Sequence, residues 1–183
     1  MDSILPVPKG FEVQENSQGM VIRYAWYKPV AWFFIVFLAF WFGFIIFWFS
    51  LPTPWFFKAF ALIHVAVGVG LAWYTLCLFK NKTEIIISPQ TFAYRHTPIP
   101  FPTYKDAQHQ RGDIEQVFVR QTIVKTKNGT NIAYQLHKIA SEATKTTKML
   151  SFESYDKAFF LKRKIEKIMR IEPRSIEGEY KPQ

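Results

Sequence analysis

The sequence predicts a membrane α-helical hairpin of two transmembrane helices, followed by a small β-rich cytoplasmic domain closed by a C-terminal amphipathic helix. Three observations carry this fold class. Two long apolar stretches stand three residues apart, short β-branched and alternating runs follow them, and a last basic segment repeats its apolar residues at helical spacing.

The first stretch runs from Pro29 to Leu51 with no charged side chain, and 11 of the 18 residues from Trp32 to Phe49 are Phe or Trp. At ~1.5 Å per residue it reaches ~34 Å, enough for a hydrocarbon core of ~30 Å. A signal peptide fits poorly, because 28 residues precede the run and no small-x-small cleavage site follows it. The second stretch, Trp55 to Phe79, has Lys58 as its only charge, near the start where a lysine can snorkel. Ser50-Leu51-Pro52-Thr53-Pro54 joins them, and its prolines stop one helix and start the next. Arg23 and Lys28 flank the hairpin on one side and Lys80 and Lys82 on the other, so the positive-inside bias places both termini in the cytoplasm. The expected location is a cell's inner membrane, in a multi-pass arrangement.

After the hairpin, residues 80–172 read as a β-rich domain. Thr83 to Ser88 is a short β-branched strand, Ser88-Pro89-Gln90 a turn, and Thr91 to His96 an alternating strand. Thr97 to Gln110, with Pro98, Pro100 and Pro102, reads as an irregular connection. Val117 to Lys125 and Ile132 to Ile139 flank Lys127-Asn128-Gly129-Thr130, a strong hairpin signal, and Thr146 to Phe152 supplies another strand. Ser154 stands at the N-cap of a helix whose expected apolar face is Tyr155, Ala158, Phe159, Ile165, Ile168 and Met169. Its expected role is to close the sheet. Lys162, Arg163, Lys164 and Lys167 crowd its remaining surface and are the candidate contacts to a partner or to lipid headgroups.

In the N-terminal segment, residues 1–28, Phe11 to Asn16 and Met20 to Trp26 read as two strands of a β-hairpin that joins or docks on the later domain. The polar tail, residues 173–183, is flexible by composition. The chain carries a net charge of +9, and residues 80–170, with 17 Lys and Arg against 8 Asp and Glu, account for all of it. Such a domain is drawn to an anionic leaflet, although solubility and topology explain the same charge.

Nothing in the sequence converges on catalysis. There is no glycine-rich phosphate loop, no paired-cysteine spacing and no HExxH helix, and the soluble-side histidines His96, His109 and His137 fall on separate elements. Asp106 and Asp113 belong to a polar connection. Metal and nucleic-acid binding have no supporting pattern, and Cys77 reads as a small hydrophobe.

The exception is His64, an ionisable residue inside the second span. Three partners are open to it. One is internal: Trp41 lies at similar depth, and its indole N–H can donate to the imidazole. The small pairs Ala39 with Gly43, Ala66 with Gly70, and Gly68 with Ala72 would let the helices approach. Another is a second polypeptide. The third is a tetrapyrrole, haem or chlorophyll, with His64 as axial ligand and Gly68 clearing space for the ring.

A two-helix membrane hairpin followed by a short strand-rich module ending in one amphipathic helix, here residues 29–170, resembles the small bacterial membrane proteins with pleckstrin-homology-like domains. The resemblance implies a domain that binds proteins or membrane surfaces and carries no chemistry. The loop that holds inositol phosphates in lipid-binding members of that fold is here Ser88-Pro89-Gln90, with no basic residue. The expected function is that of a non-enzymatic accessory subunit of a larger membrane complex, respiratory or photosynthetic in kind, contacting other integral-membrane subunits. A stand-alone anchored binding domain and a tetrapyrrole-binding subunit are the competing classes.

Overall fold

The computed structural model describes residues 5–126, 129–140 and 143–181. Two strands come first, β1 (Glu12–Asn16) and β2 (Gly19–Ala25), then two long helices, α1 (Val30–Ser50) and α2 (Trp55–Lys80). Strands β3 (Lys82–Ile87), β4 (Thr91–Thr97) and β5 (Ala107–Gln110) follow, and a single 3-10 turn, Arg111–Asp113, leads into β6 (Gln116–Thr126), β7 (Gly129–Ala140) and β8 (Ala143–Phe152). Helix α3 (Tyr155–Ile168) is last. The strands form a five-stranded sheet ordered β1-β2-β3-β4-β5 and a three-stranded sheet ordered β6-β7-β8. Both long helices therefore form the connection between two neighbouring strands, β2 and β3.

By contacts the chain divides into two compact units. One holds residues 24–83 and 96–105, the other residues 1–23, 84–95 and 106–183. Residues 96–105, which composition assigns to the β-rich domain, thus belong with the helices. The N-terminal strands belong with the β-rich unit.

In the helical unit, α1 and α2 pack along a narrow seam. Ala31, Leu38 and Ile45 are the buried residues of α1, and Ala61, Gly68 and Thr75 repeat the same seven-residue step on α2. A strict step of seven keeps one stripe facing its partner, as in left-handed antiparallel pairs. None of the four small residues expected to face the partner outside Gly68 and Ala72 does so. Ala39, Gly43, Ala66 and Gly70 are all exposed, and a Cβ built on Gly43 or Gly70 would meet nothing within 4 Å. The seam follows the seven-residue repeat, and these four residues fall on other faces. Ala72 is half-buried beside it.

In the β-rich unit the alternation of β2 and β3 buries Met20, Ile22, Ile85 and Ile87. Gly19 has a φ of +152°, and a Cβ there would lie 2.1 Å from the Ile87 carbonyl oxygen, so the β1–β2 turn can close only with glycine. Strand β5 lies inside the stretch read as irregular. Ala-Gln-His-Gln has little intrinsic strand preference, and pairing with Thr91–Tyr94 of β4 makes it a strand. β6 and β7 pair in full register from Gln116↔Ile139 to Thr126↔Gly129; Lys127 and Asn128 of the expected turn lie outside the described residues.

Helix α3 packs over β6, β7 and β8, which agrees with the sheet-closing role. Its face is rotated from the expected one. Phe160, Leu161 and Lys162 are buried with Ala158, Ile165 and Met169, whereas Phe159 is only half-buried and stacks on Tyr155 at 5.3 Å. Phe11 meets Phe152 and Phe160 edge-on, which extends this core to the N-terminal segment. Ser154 sits at the N-cap position in extended backbone, but its side chain makes no capping bond.

Candidate functional site

Within the helical unit, the ring of His64 lies between Trp41, at 5.8 Å, and Phe60, at 5.3 Å. The Trp41 indole N–H donates to the backbone oxygen of His64 at 3.1 Å, not to its imidazole. Gly68 explains this geometry. A Cβ there would approach Trp41 Cδ1 and Nε1 to 3.0 Å, so only a bare glycine uncovers the carbonyl one turn earlier for the indole. The space beside Gly68 that a macrocycle would need is therefore filled by tryptophan. A separate open groove of about 570 Å³ borders His64, lined by Phe44, Trp48, Phe56, Phe57, Phe60 and Ala61.

The other end of the same unit is a collar of aromatic rings. Trp26 packs on His96 at 5.6 Å, Phe101 at 6.2 Å and Tyr104 at 4.5 Å, and Phe101 continues to Tyr74 at 5.6 Å. Asn81, buried just past α2, holds both backbone groups of Ile99. Its Oδ1 accepts from the Ile99 N–H at 2.9 Å, and its Nδ2 donates to the Ile99 oxygen at 2.7 Å. Trp73 Nε1 donates to the Pro100 oxygen at 3.3 Å. The proline-rich stretch read as a loose connection is thus fastened along the last two turns of α2.

In the β-rich unit the basic face expected on α3 is divided. Lys162 is only 7% exposed. Its ammonium pairs with Glu179 of the tail and with Glu166 one turn on, at 3.5 Å. Lys164 reaches Glu15 at 2.9 Å and lies over the Phe160 ring. Arg163 is exposed, over Phe159 and 3.8 Å from Glu166, and Lys167 is exposed. Four lysines and arginines on one helix do not make one free cationic surface, because acidic residues from both ends of the chain neutralise two of them. Burial pushes the Glu166 carboxyl above the usual range, against the pull of Lys162 and Arg163.

The tail is bound in place as well, contrary to its composition. The Tyr180 N–H donates to the Val119 oxygen at 2.8 Å, its ring packs on Tyr134 and Tyr155, and Arg174 pairs with Glu115 at 3.6 Å. Arg111 is a residue that sequence reasoning missed. Its guanidinium donates to the carbonyls of Met169 at 2.6 Å, Ile114 at 2.8 Å and Arg170 at 3.2 Å, closing the C-terminus of α3. An arginine beside a glycine and an aspartate gave no local sign of this target 58 residues away.

The histidines serve packing. His109 stacks on Phe92 and meets Lys138 Nζ through Nδ1 at 3.1 Å, and His137 stacks on Phe118 with Nε2 on Gln135. Burial and neighbouring cations hold both below the ordinary histidine range. Asp113 accepts from the Gln110 N–H at 3.1 Å and caps the 3-10 turn. Among the described residues no three His, Cys, Asp or Glu side chains come together to hold a metal ion. Comparison with protein-family models, with curated proteins and with solved structures returns no match.

Proposed function

We propose that this chain is a non-enzymatic integral-membrane accessory subunit, with α1 and α2 crossing the bilayer and both termini on the cytoplasmic side. The observation that carries the reading is the apolar exterior of the hairpin. Phe40 is 77% exposed, Ile46 70% and Trp55 78%, on helices with a single internal charge at Lys58. An apolar exterior of this extent is supported by lipid or by other apolar helices, not by water. Lys80 and Lys82 at one end, against Lys58 at the other, support the orientation. The aromatic outer face of α1 is the surface that would meet other integral-membrane subunits, and of the four basic residues expected to contact a partner or headgroup, Arg163 and Lys167 are the exposed ones.

Extraction in a mild detergent, followed by sizing, an absorbance spectrum and identification of comigrating chains, tests the proposal. A large colourless assembly supports the accessory subunit; a small colourless particle favours the stand-alone anchored domain. The groove at His64 favours a tetrapyrrole as the second reading, and only visible absorbance lost in His64→Leu would sustain it.

A further inference from the structure

We propose that the loop of residues 97–104 is a third membrane-embedded element, whose tip Ile99-Pro100-Phe101-Pro102 sits among lipid acyl chains beside α2. The inference rests on the reading that the hairpin spans a bilayer, and three observations carry it.

The first is depth. Phe79, near the end of α2, packs on Trp32 at the start of α1 at 5.3 Å, which marks one level of the apolar hairpin. Trp73 and Tyr74 stand about 8–9 Å deeper along α2 at ~1.5 Å per residue, and Tyr74 packs on Phe34. The loop reaches that level, since Pro100 accepts from Trp73 and Phe101 packs on Tyr74.

The second is backbone chemistry. Irregular backbone enters hydrocarbon only where its polar groups are satisfied within the protein. Pro98, Pro100 and Pro102 have no N–H to satisfy. Asn81 takes both groups of Ile99, Trp73 takes the Pro100 carbonyl, and the Tyr104 N–H donates to the Phe101 carbonyl at 3.0 Å.

The third is the surface presented. Pro98, Pro100 and Pro102 are exposed, Ile99 and Phe101 half-exposed, and the first charge after the tip is Lys105. Tyr104, 52% exposed and next to Lys105, is a residue type that settles at a bilayer boundary.

The test uses the full chain in a Cys77→Ala background with single cysteines at Pro102, at Phe40 and at Gln18, each carrying an environment-sensitive fluorophore, in phosphatidylcholine–phosphatidylglycerol vesicles. Quenching by nitroxide on the lipid acyl chains is compared with quenching by aqueous iodide. The expected result is that the Pro102 probe, like the Phe40 probe, is quenched several-fold more by lipid nitroxide than the Gln18 probe and is shielded from iodide. Should Pro102 behave as Gln18 does while Phe40 stays lipid-quenched, the loop is aqueous and the proposal is overturned with the hairpin reading intact. Should Phe40 also be open to iodide, both readings fall. Pro98→Cys repeats the measurement on the other arm of the loop, so a local disturbance at Pro102 cannot decide it.

Discussion

Helices α2 and α3 each carry an ionisable residue in an apolar setting, and they treat it in opposite ways. On α2, His64 is half-exposed at the rim of a groove, and the hydrogen bond formed at that level goes to its backbone. On α3, Lys162 is enclosed between Glu166 and Glu179. In the sequence the histidine has three open partners, and the lysine is one of four candidate contacts to a partner or to lipid headgroups. The difference teaches that a charge in a helix is read by what arrives from elsewhere in the chain, and that the carboxylate of a distant tail can turn a surface lysine into a core one.

The largest effect that would break this contrast is at Lys162. Lys162→Gln leaves two carboxylates facing each other without their cation and should destabilise the β-rich unit by about 3–5 kcal/mol, measured as faster amide exchange in α3 of the full chain in micelles. Lys162→Met combined with Glu166→Leu and Glu179→Leu should recover most of that loss, since packed apolar side chains then replace the whole charged cluster. Equal exchange in Lys162→Gln and the parent chain would show that the ammonium is solvated after all.

Arg111→Ala comes next. Two charge-assisted bonds to carbonyls at the end of α3 and one to the Ile114 carbonyl disappear, and a loss of about 2–3 kcal/mol is expected in the same exchange measurement. On the α2 side, Gly68→Leu should cost about 1–3 kcal/mol in detergent unfolding of the hairpin, because the new side chain occupies the place of Trp41. An unchanged midpoint would mean that the indole is not seated there.

The pH dependence sharpens the comparison further. The folded Glu166 carboxyl titrates above its unfolded value, so the folded state holds the proton longer. The stability this contributes is complete below the unfolded value and is lost as pH rises through the folded one. Glu166→Gln should flatten that decline in a pH series of denaturation midpoints, and a parallel curve would remove Glu166 as its source. The smallest effect belongs to His64→Leu, about 0.5 kcal/mol or less in the same unfolding assay, since the bond from Trp41 reaches a carbonyl that every residue has.

How much of this was legible follows from where each signal resides. Apolar length and the proline pair revealed both long helices to within a residue or so, because helix length in an apolar run is local information. Strand alternation revealed β2, β3 and β4 for the same reason. The face of α3 was misjudged because Phe160 and Leu161 are drawn inward by Phe11 and the sheet, and the fate of Lys162 depended on Glu179, 17 residues on. The prolines of residues 98–102 announced irregular backbone correctly, but nothing local said that Asn81 would receive it. The expected helix seam held at Gly68 and failed elsewhere for a related reason: small-xxx-small pairs occur at several registers in α1 and α2, and only the seven-residue repeat of Ala31, Leu38 and Ile45 against Ala61, Gly68 and Thr75 selects among them.

Because residues 26–81 separate β2 from its neighbour β3 in the sheet, the order of synthesis matters. At roughly 5–20 residues per second, β1 and β2 leave the ribosome roughly 3–11 s before β3 can join them. During that interval β2 is a nascent edge. Pairing of α1 with α2 then brings the two ends of the interval together, so the entropy of closing a long loop is met by helix association before the ladder forms. Pairing of the two helices would in this way act as the first step in assembling a sheet that contains none of their residues.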